Sequence, residues 1–137
     1  MPVGRWFVDE NLVKVGRALS QVRVDVVFPG SERLPQVPRG CDDEVWLPIV
    51  GQAGWAVITR DRRIRSRPVE RLRFEQHGVR SFCITGTQEM NDWEKLSLLV
   101  RQWAAMASQY DALGGGPWMC SVTSHGVSKM PQLPPMP

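Results

Sequence analysis

Ala56-Val57-Ile58-Thr59 shows no alternation of polar and apolar residues, so both faces of this strand must be covered. A strand of that kind belongs near the centre of a parallel sheet, whose neighbours can be joined only by crossover connections, usually helices. The chain has segments for both roles. Arg5-Trp6-Phe7-Val8, Val24-Asp25-Val26-Val27-Phe28 and Val79-Arg80-Ser81-Phe82-Cys83-Ile84 read as further strands. Leu12, Val15, Gly16 and Leu19 recur at helical spacing in a helix that opens near Asn11 and ends near Ser20. Asp42 or Asp43 caps a second helix with an apolar face of Val45, Trp46, Ile49 and Val50, stopped by Gly51 or Gly54. Pro68 opens a third helix that runs to about Gln76, before Gly78. Asn91-x-x-Glu94 is a capping box for the longest helix, and Trp93, Leu96, Val100, Trp103 and Ala107 form the stripe predicted to dock on the sheet.

This alternation, over residues 5 to 110, predicts an α/β fold of three layers with right-handed crossovers. Its central parallel sheet has four strands, or five if the region around Trp118 adds one. Pro29 to Gly40 holds three prolines and two glycines and reads as a loop, long enough to be a lid or a variable insertion. Gly114-Gly115-Gly116-Pro117 breaks any helix, and four prolines fall between Met130 and Pro137. The expected organisation is therefore one domain over residues 1–113 and a flexible Gly/Pro-rich tail over 114–137, with at most a short strand at Trp118–Val122.

Composition closes off several classes. With 42% apolar residues in 137, the chain can bury one core without disulfide or metal staples. Cys41, Cys83 and Cys120 are odd in number, widely spaced and without a Cys-x-x-Cys pair, as expected of free thiols in a reducing compartment. Met1 to Trp6 lacks an apolar signal region, and no stretch approaches the roughly 18 apolar residues of a membrane helix. The expected location is the cytoplasm.

The chemistry lies in three acidic clusters. Asp9-Glu10-Asn11 follows the first strand, Asp42-Asp43-Glu44 opens the second helix, and Asp61 follows Thr59-Arg60 at the end of the third strand. In an open α/β sheet these places converge on the crevice beyond the carboxyl ends of the strands. Carboxylates gathered there repel one another unless a cation or proton neutralises them. An all-oxygen set suits Mg²⁺ or Mn²⁺ rather than zinc. Seven of the 14 arginines lie between Arg60 and Arg73, and the first of them, Arg60, Arg62, Arg63, Arg65 and Arg67, stand beside Asp61 as a track for phosphates. His77 and His125 fall in a turn and in the tail and read as non-catalytic. Trp46 and Trp55 are the aromatic candidates for stacking on a base, although both belong to apolar patterns that read as core.

Taken together, Phe7-Val8-Asp9-Glu10-Asn11, Asp43-Glu44 and Val57-Ile58-Thr59-Arg60-Asp61 resemble the PIN-like nucleases. More narrowly they are similar to a compact group of VapC-type toxins of bacterial toxin–antitoxin pairs. The resemblance spans roughly residues 5 to 110 and is sharpest at Thr59-Arg60-Asp61. It implies a Mg²⁺- or Mn²⁺-dependent ribonuclease with Asp9, Asp43 and Asp61 as metal ligands. Glu10, Asn11, Thr59 and Arg60 would then orient ligands, water or phosphate. Asp92 and Asp42 are both candidates for the fourth acid common in that family. The implied partners are an RNA substrate and a cognate antitoxin protein, with self-association open and no membrane.

Two rival classes share parts of this pattern. A phosphoacceptor receiver domain also places an acidic pair after its first strand and an acid after its third, but it leaves the Asp43 cluster without a role and needs a late lysine that is missing. A PIN-like protein that binds RNA or a partner without cutting would keep every residue named above.

Overall fold

The uninterrupted apolar strand is central. In the computed structural model, which describes residues 3–60, 68–86 and 88–131, the strands are β1 (Trp6–Val8), β2 (Val26–Val27), β3 (Ala56–Thr59), β4 (Arg80–Ile84), β5 (Trp118–Thr123) and β6 (Gly126–Lys129). They form one sheet in the order β2-β1-β3-β4-β5-β6. All pairings are parallel except β5 with β6. Every residue of β3 is buried.

Helices cover both faces. A 3-10 turn at Glu10–Leu12 leads into α1 (Val13–Val22), followed by α2 (Asp43–Ala53), α3 (Pro68–Gln76) and α4 (Asp92–Leu113). The pleat sends Trp6, Val8, Ala56, Ile58, Phe82 and Ile84 to a core shared with α1 and α4. Phe7, Val57 and Cys83 meet α2 and α3 on the opposite face, where Trp46 stacks on Phe7. This is the expected three-layer α/β architecture. Gly16 lets α1 approach β1 closely, because a Cβ there would stand 3.1 Å from that of Val8. Asn91 and Glu94 form the predicted capping box of α4. None of the described helices is long and apolar enough to cross a membrane.

Three expectations change. The parallel part of the sheet has five strands, the fifth at Trp118 as allowed for, but residues expected in the tail add β6, a sixth and antiparallel strand. Trp118, Cys120 and Val122 are buried against α4, so the strands from 118 to 129 are an integral edge of the sheet. Of the expected tail, residues 132–137 lie outside the described part. Of the predicted stripe on α4, Leu96, Trp103 and Ala107 pack against the core, while Trp93 and Val100 are 74% and 59% exposed; the buried residues of the helix are Leu98, Leu99, Met106 and Tyr110. The helix carries apolar residues on more than one side, and the Tyr110 hydroxyl, donating to the Gly54 carbonyl, helps to set which side faces inward. The Pro29–Gly40 segment is a loop, as expected, and its apolar residues pack inward. Leu34 and Val37 are fully buried beneath it, and the Gly30 N–H bonds the Val37 carbonyl at 2.8 Å.

The cysteines are free thiols as expected. Burial pushes the Cys120 thiol up to about 11, so it stays protonated near neutral pH.

Candidate metal centre at the carboxyl edge of the sheet

The register of β1 on β3 sets the site. Val8 pairs with Ile58, so Asp9 and Thr59 emerge side by side where the strands end. The Asp9 N–H continues the ladder to the Ile58 carbonyl at 2.9 Å. The Thr59 hydroxyl then donates to Asp9 Oδ2 at 3.0 Å, and Asn11 Nδ2 donates to Thr59 Oγ1 at 3.3 Å. Asn11 Oδ1 in turn accepts the backbone N–H of Arg60 at 3.4 Å. Thr59 is fully buried, and a buried hydroxyl with both a donor and an acceptor partner holds its neighbours in fixed orientation. The Asp9 carboxylate is therefore aimed by the two strands and by the turn that follows β1.

Asp43 arrives from the other side. Asp42 is the N-cap of α2, without a side-chain cap bond, and Asp43 is its first residue. Trp46 Nε1 donates to Asp43 Oδ1 at 3.1 Å, which places the carboxylate by an aromatic ring locked in the core. Asp9, Glu10, Asn11 and Asp43 line one crevice of about 330 Å³, with Pro29, Cys41 and Trp46 completing its wall. Burial, followed by the charges of Glu10, Asp42 and Asp43, pushes the Cys41 thiol up. The crevice is thus an electronegative place, as its acids would make it.

Other candidates have different surroundings. Glu10 accepts the N–H of Gly40 and so ties the long loop to the turn after β1. Asp42 lines a neighbouring hollow with Glu44 and Arg73. Asp92 is exposed at the first position of α4, where its charge favours the positive end of that helix, and lines neither hollow. Arg60 donates through Nη2 to the Gln88 carbonyl at 2.9 Å, and its Nη1 is buried with no hydrogen-bond partner among the described residues. Trp46 is core, as expected, and Trp55 lies under the Arg5 guanidinium, 5.2 Å from the ring centre. Asp61, Arg62, Arg63, Arg65 and Arg67 lie outside the described residues.

The donors brought together are carboxylate oxygens held by hydrogen bonds, which is the chemistry a hard divalent cation requires. Among the described residues no three histidine, cysteine, aspartate or glutamate side chains stand close enough to hold an ion. Asp9 and Asp43 share this crevice with Glu10, and Asp61 is next in the chain after the anchored Arg60. What the sequence did not disclose are two contacts: the Pro29–Cys41 segment as a wall of the crevice, and the Gln88 carbonyl as the partner of Arg60. The one signal for the former was the pair of apolar residues, Leu34 and Val37, inside an otherwise loop-like stretch.

A family model described as a PIN like domain matches residues 5–86, which is more than half of the chain and includes both walls of the crevice. No curated protein and no solved structure matches it significantly.

Proposed function

Because this chain belongs to the PIN-like domain family, we propose that it is a metal-dependent endoribonuclease. The observation that carries the reading is the meeting of Asp9 and Asp43 on one crevice at the carboxyl edge of the parallel strands, with Asp9 aimed by the Thr59 hydroxyl. Asp9, Asp43 and Asp61 are the residues that would hold Mg²⁺ or Mn²⁺. Such an ion, when bound, polarises a phosphoryl oxygen and makes an attacking water more acidic.

The chain's own groups do the rest. Thr59 and Asn11 keep the Asp9 carboxylate in one orientation, so little reorganisation is left for the reacting complex. Trp46 does the same for Asp43. Arg62, Arg63, Arg65 and Arg67, which follow Asp61 in the chain, draw the phosphate backbone toward the acids. Asp43 beside Asp9 also favours a nuclease over a receiver-type acceptor, in which the second acidic cluster has no task. The narrower reading, from the Asp-Glu-Asn and Thr-Arg-Asp signature, is a toxin of a toxin–antitoxin pair, acting on cytoplasmic RNA and silenced by a cognate antitoxin protein.

Incubation of the purified chain with total and transfer RNA tests the proposal. Discrete products are expected with Mg²⁺ or Mn²⁺, none with EDTA, and none from Asp9→Asn with an unchanged circular dichroism spectrum. Absence of cleavage with either metal, in a folded protein, overturns the nuclease and favours a binding role for the same crevice.

A further inference from the structure

A second hollow opens at the same edge of the sheet, over the opposite face. It has a volume of about 530 Å³ and is walled by Thr85 after β4, Thr123 and His125 at the end of β5, and Trp93, Ser97 and Arg101 on the first turns of α4. Register places it. Ile84 pairs with Val122, so Thr85 and Thr123 leave the sheet together, at the end where Asp9 and Thr59 leave β1 and β3. The lateral step from β1 to β4 is two strand spacings, about 10 Å. Arg60 spans the gap. Its backbone N–H is bonded to Asn11 in the acidic crevice, and its guanidinium is bonded to the carbonyl of Gln88, which lines the second hollow.

Trp93 is the feature that needs a partner. It is 74% exposed, the most exposed tryptophan among the described residues, and it stands on the wall of a hollow instead of on the core. A large ring left in water forgoes the free energy of burying its apolar surface. Around it the hollow offers hydroxyl groups from Ser97 and Ser124, the guanidinium of Arg101, and an apolar floor in Met90 and Leu98, while the Thr85 hydroxyl pairs with that of Ser121. Glu94, the acid on this wall, already uses a carboxylate oxygen to accept the Asn91 N–H in the capping box. An aromatic platform beside hydroxyls and a guanidinium is the chemistry that receives an unpaired base and its phosphate.

Resting on the ribonuclease reading, we propose that this hollow is a subsite for an unpaired base of single-stranded RNA adjoining the cleaved bond, with Trp93 as the stacking platform and Arg101 beside the phosphate. Duplex RNA is excluded from it, because paired bases cannot be splayed onto the ring. Arg60 is the positioning residue that fixes the hollow relative to the acids.

The test uses the full chain carrying Asp9→Asn, so that RNA is bound without cleavage, and a fluorescent single-stranded 12-nucleotide RNA with no self-complementarity (~12 suffices to span one binding module). Trp93→Ala should weaken binding about 5- to 100-fold, the loss of one base stacked on an aromatic ring. Trp93→Phe should recover most of it, and affinity for a duplex of the same length should not change. Because Trp93 is exposed, both variants should retain the parent circular dichroism spectrum. Equal single-strand affinity in Trp93→Ala, while the unmutated chain cleaves RNA, overturns the subsite and leaves the nuclease standing. Neither cleavage nor oligonucleotide binding by the unmutated chain overturns both. A change in sedimentation on Trp93→Ala without any change in RNA affinity also overturns the subsite, and assigns the ring to a protein interface.

Discussion

Thr59 contributes one hydroxyl to the crevice, and that hydroxyl links the two functions a strand end must serve. It is fully buried, accepts a bond from Asn11 and donates one to Asp9. Thr59→Val keeps the shape and removes the oxygen. A residue that orients a metal ligand from behind typically alters affinity or activity by about 10- to 100-fold when lost, whereas a single buried hydrogen bond contributes only about 1 kcal/mol to stability. The expected outcome is therefore a higher Mg²⁺ requirement for RNA cleavage with a small change in thermal midpoint, and recovery in Thr59→Ser. A Mg²⁺ titration of the cleavage rate decides it; an unchanged titration would reduce Thr59 to a satisfied core hydroxyl. The meeting of Asp9 with Thr59 was legible in the sequence because both sit at strand ends, where direction is set by the pleat, and Asn11 follows in the turn after β1. The partner of Asp43 was not, since a Trp46 ring that reads as core by its apolar spacing also carries an N–H that must be satisfied when buried. Glu10 likewise gave no sign that it would hold Gly40, a contact across 30 residues.

At the scale of elements, α2 is held in place by a missing side chain. Gly51 lies against the turn after α3, and a Cβ added there would run into the carbonyl oxygen of His77. Gly54 then ends the helix in the left-handed conformation, with φ 70°. Gly51→Ala should destabilise the fold by about 1–3 kcal/mol, toward the upper end because backbone cannot yield as a flexible side chain can. Urea unfolding measures the loss, and the metal requirement of the molecules still folded should be unchanged, since Asp43 is at the other end of the helix. The sequence supplied Gly51 only as a place where the helix stops, because nothing local announces an approach by residue 77. Its record on the strands follows the same logic. β3 and α3 have the expected bounds, being marked by local signals: a wholly apolar run and a proline at the first helical position. β6 was missed because Gly126-Val127-Ser128-Lys129 is an edge strand with little apolar content; its signal was the tight link Ser124-His125 before Gly126, which closes a hairpin on β5. The predicted stripe of α4 held at Leu96, Trp103 and Ala107 but not at Trp93 and Val100, because helical spacing alone cannot choose between two apolar faces, and β5, Gly54 and Trp6 from elsewhere in the chain set the exact side.

For the whole molecule, two kinds of attraction to RNA should be separable. The net charge is only +3, yet seven of its 14 arginines fall between Arg60 and Arg73, so the positive charge is concentrated in one stretch of the chain. Phosphate contacts release counterions, and each one adds roughly 0.7 to the slope of log affinity against log salt for a single strand. A stacked base releases none. Replacing Arg62, Arg63 and Arg65 together by glutamine, in the Asp9→Asn background, should therefore flatten that slope by about 2, with the largest losses of affinity at low salt. Trp93→Ala should lower the whole line and leave its slope alone. Titrations of the same single-stranded RNA over a range of KCl concentrations, for both variants, distinguish the two. If the arginine variant keeps the parent slope, the basic run is a solvated face and the phosphates are held elsewhere. If instead its slope flattens while Trp93→Ala lowers the line in parallel, backbone and base are read at two places on one edge, with Arg60 between them joined by hydrogen bonds to Asn11 on one side and Gln88 on the other.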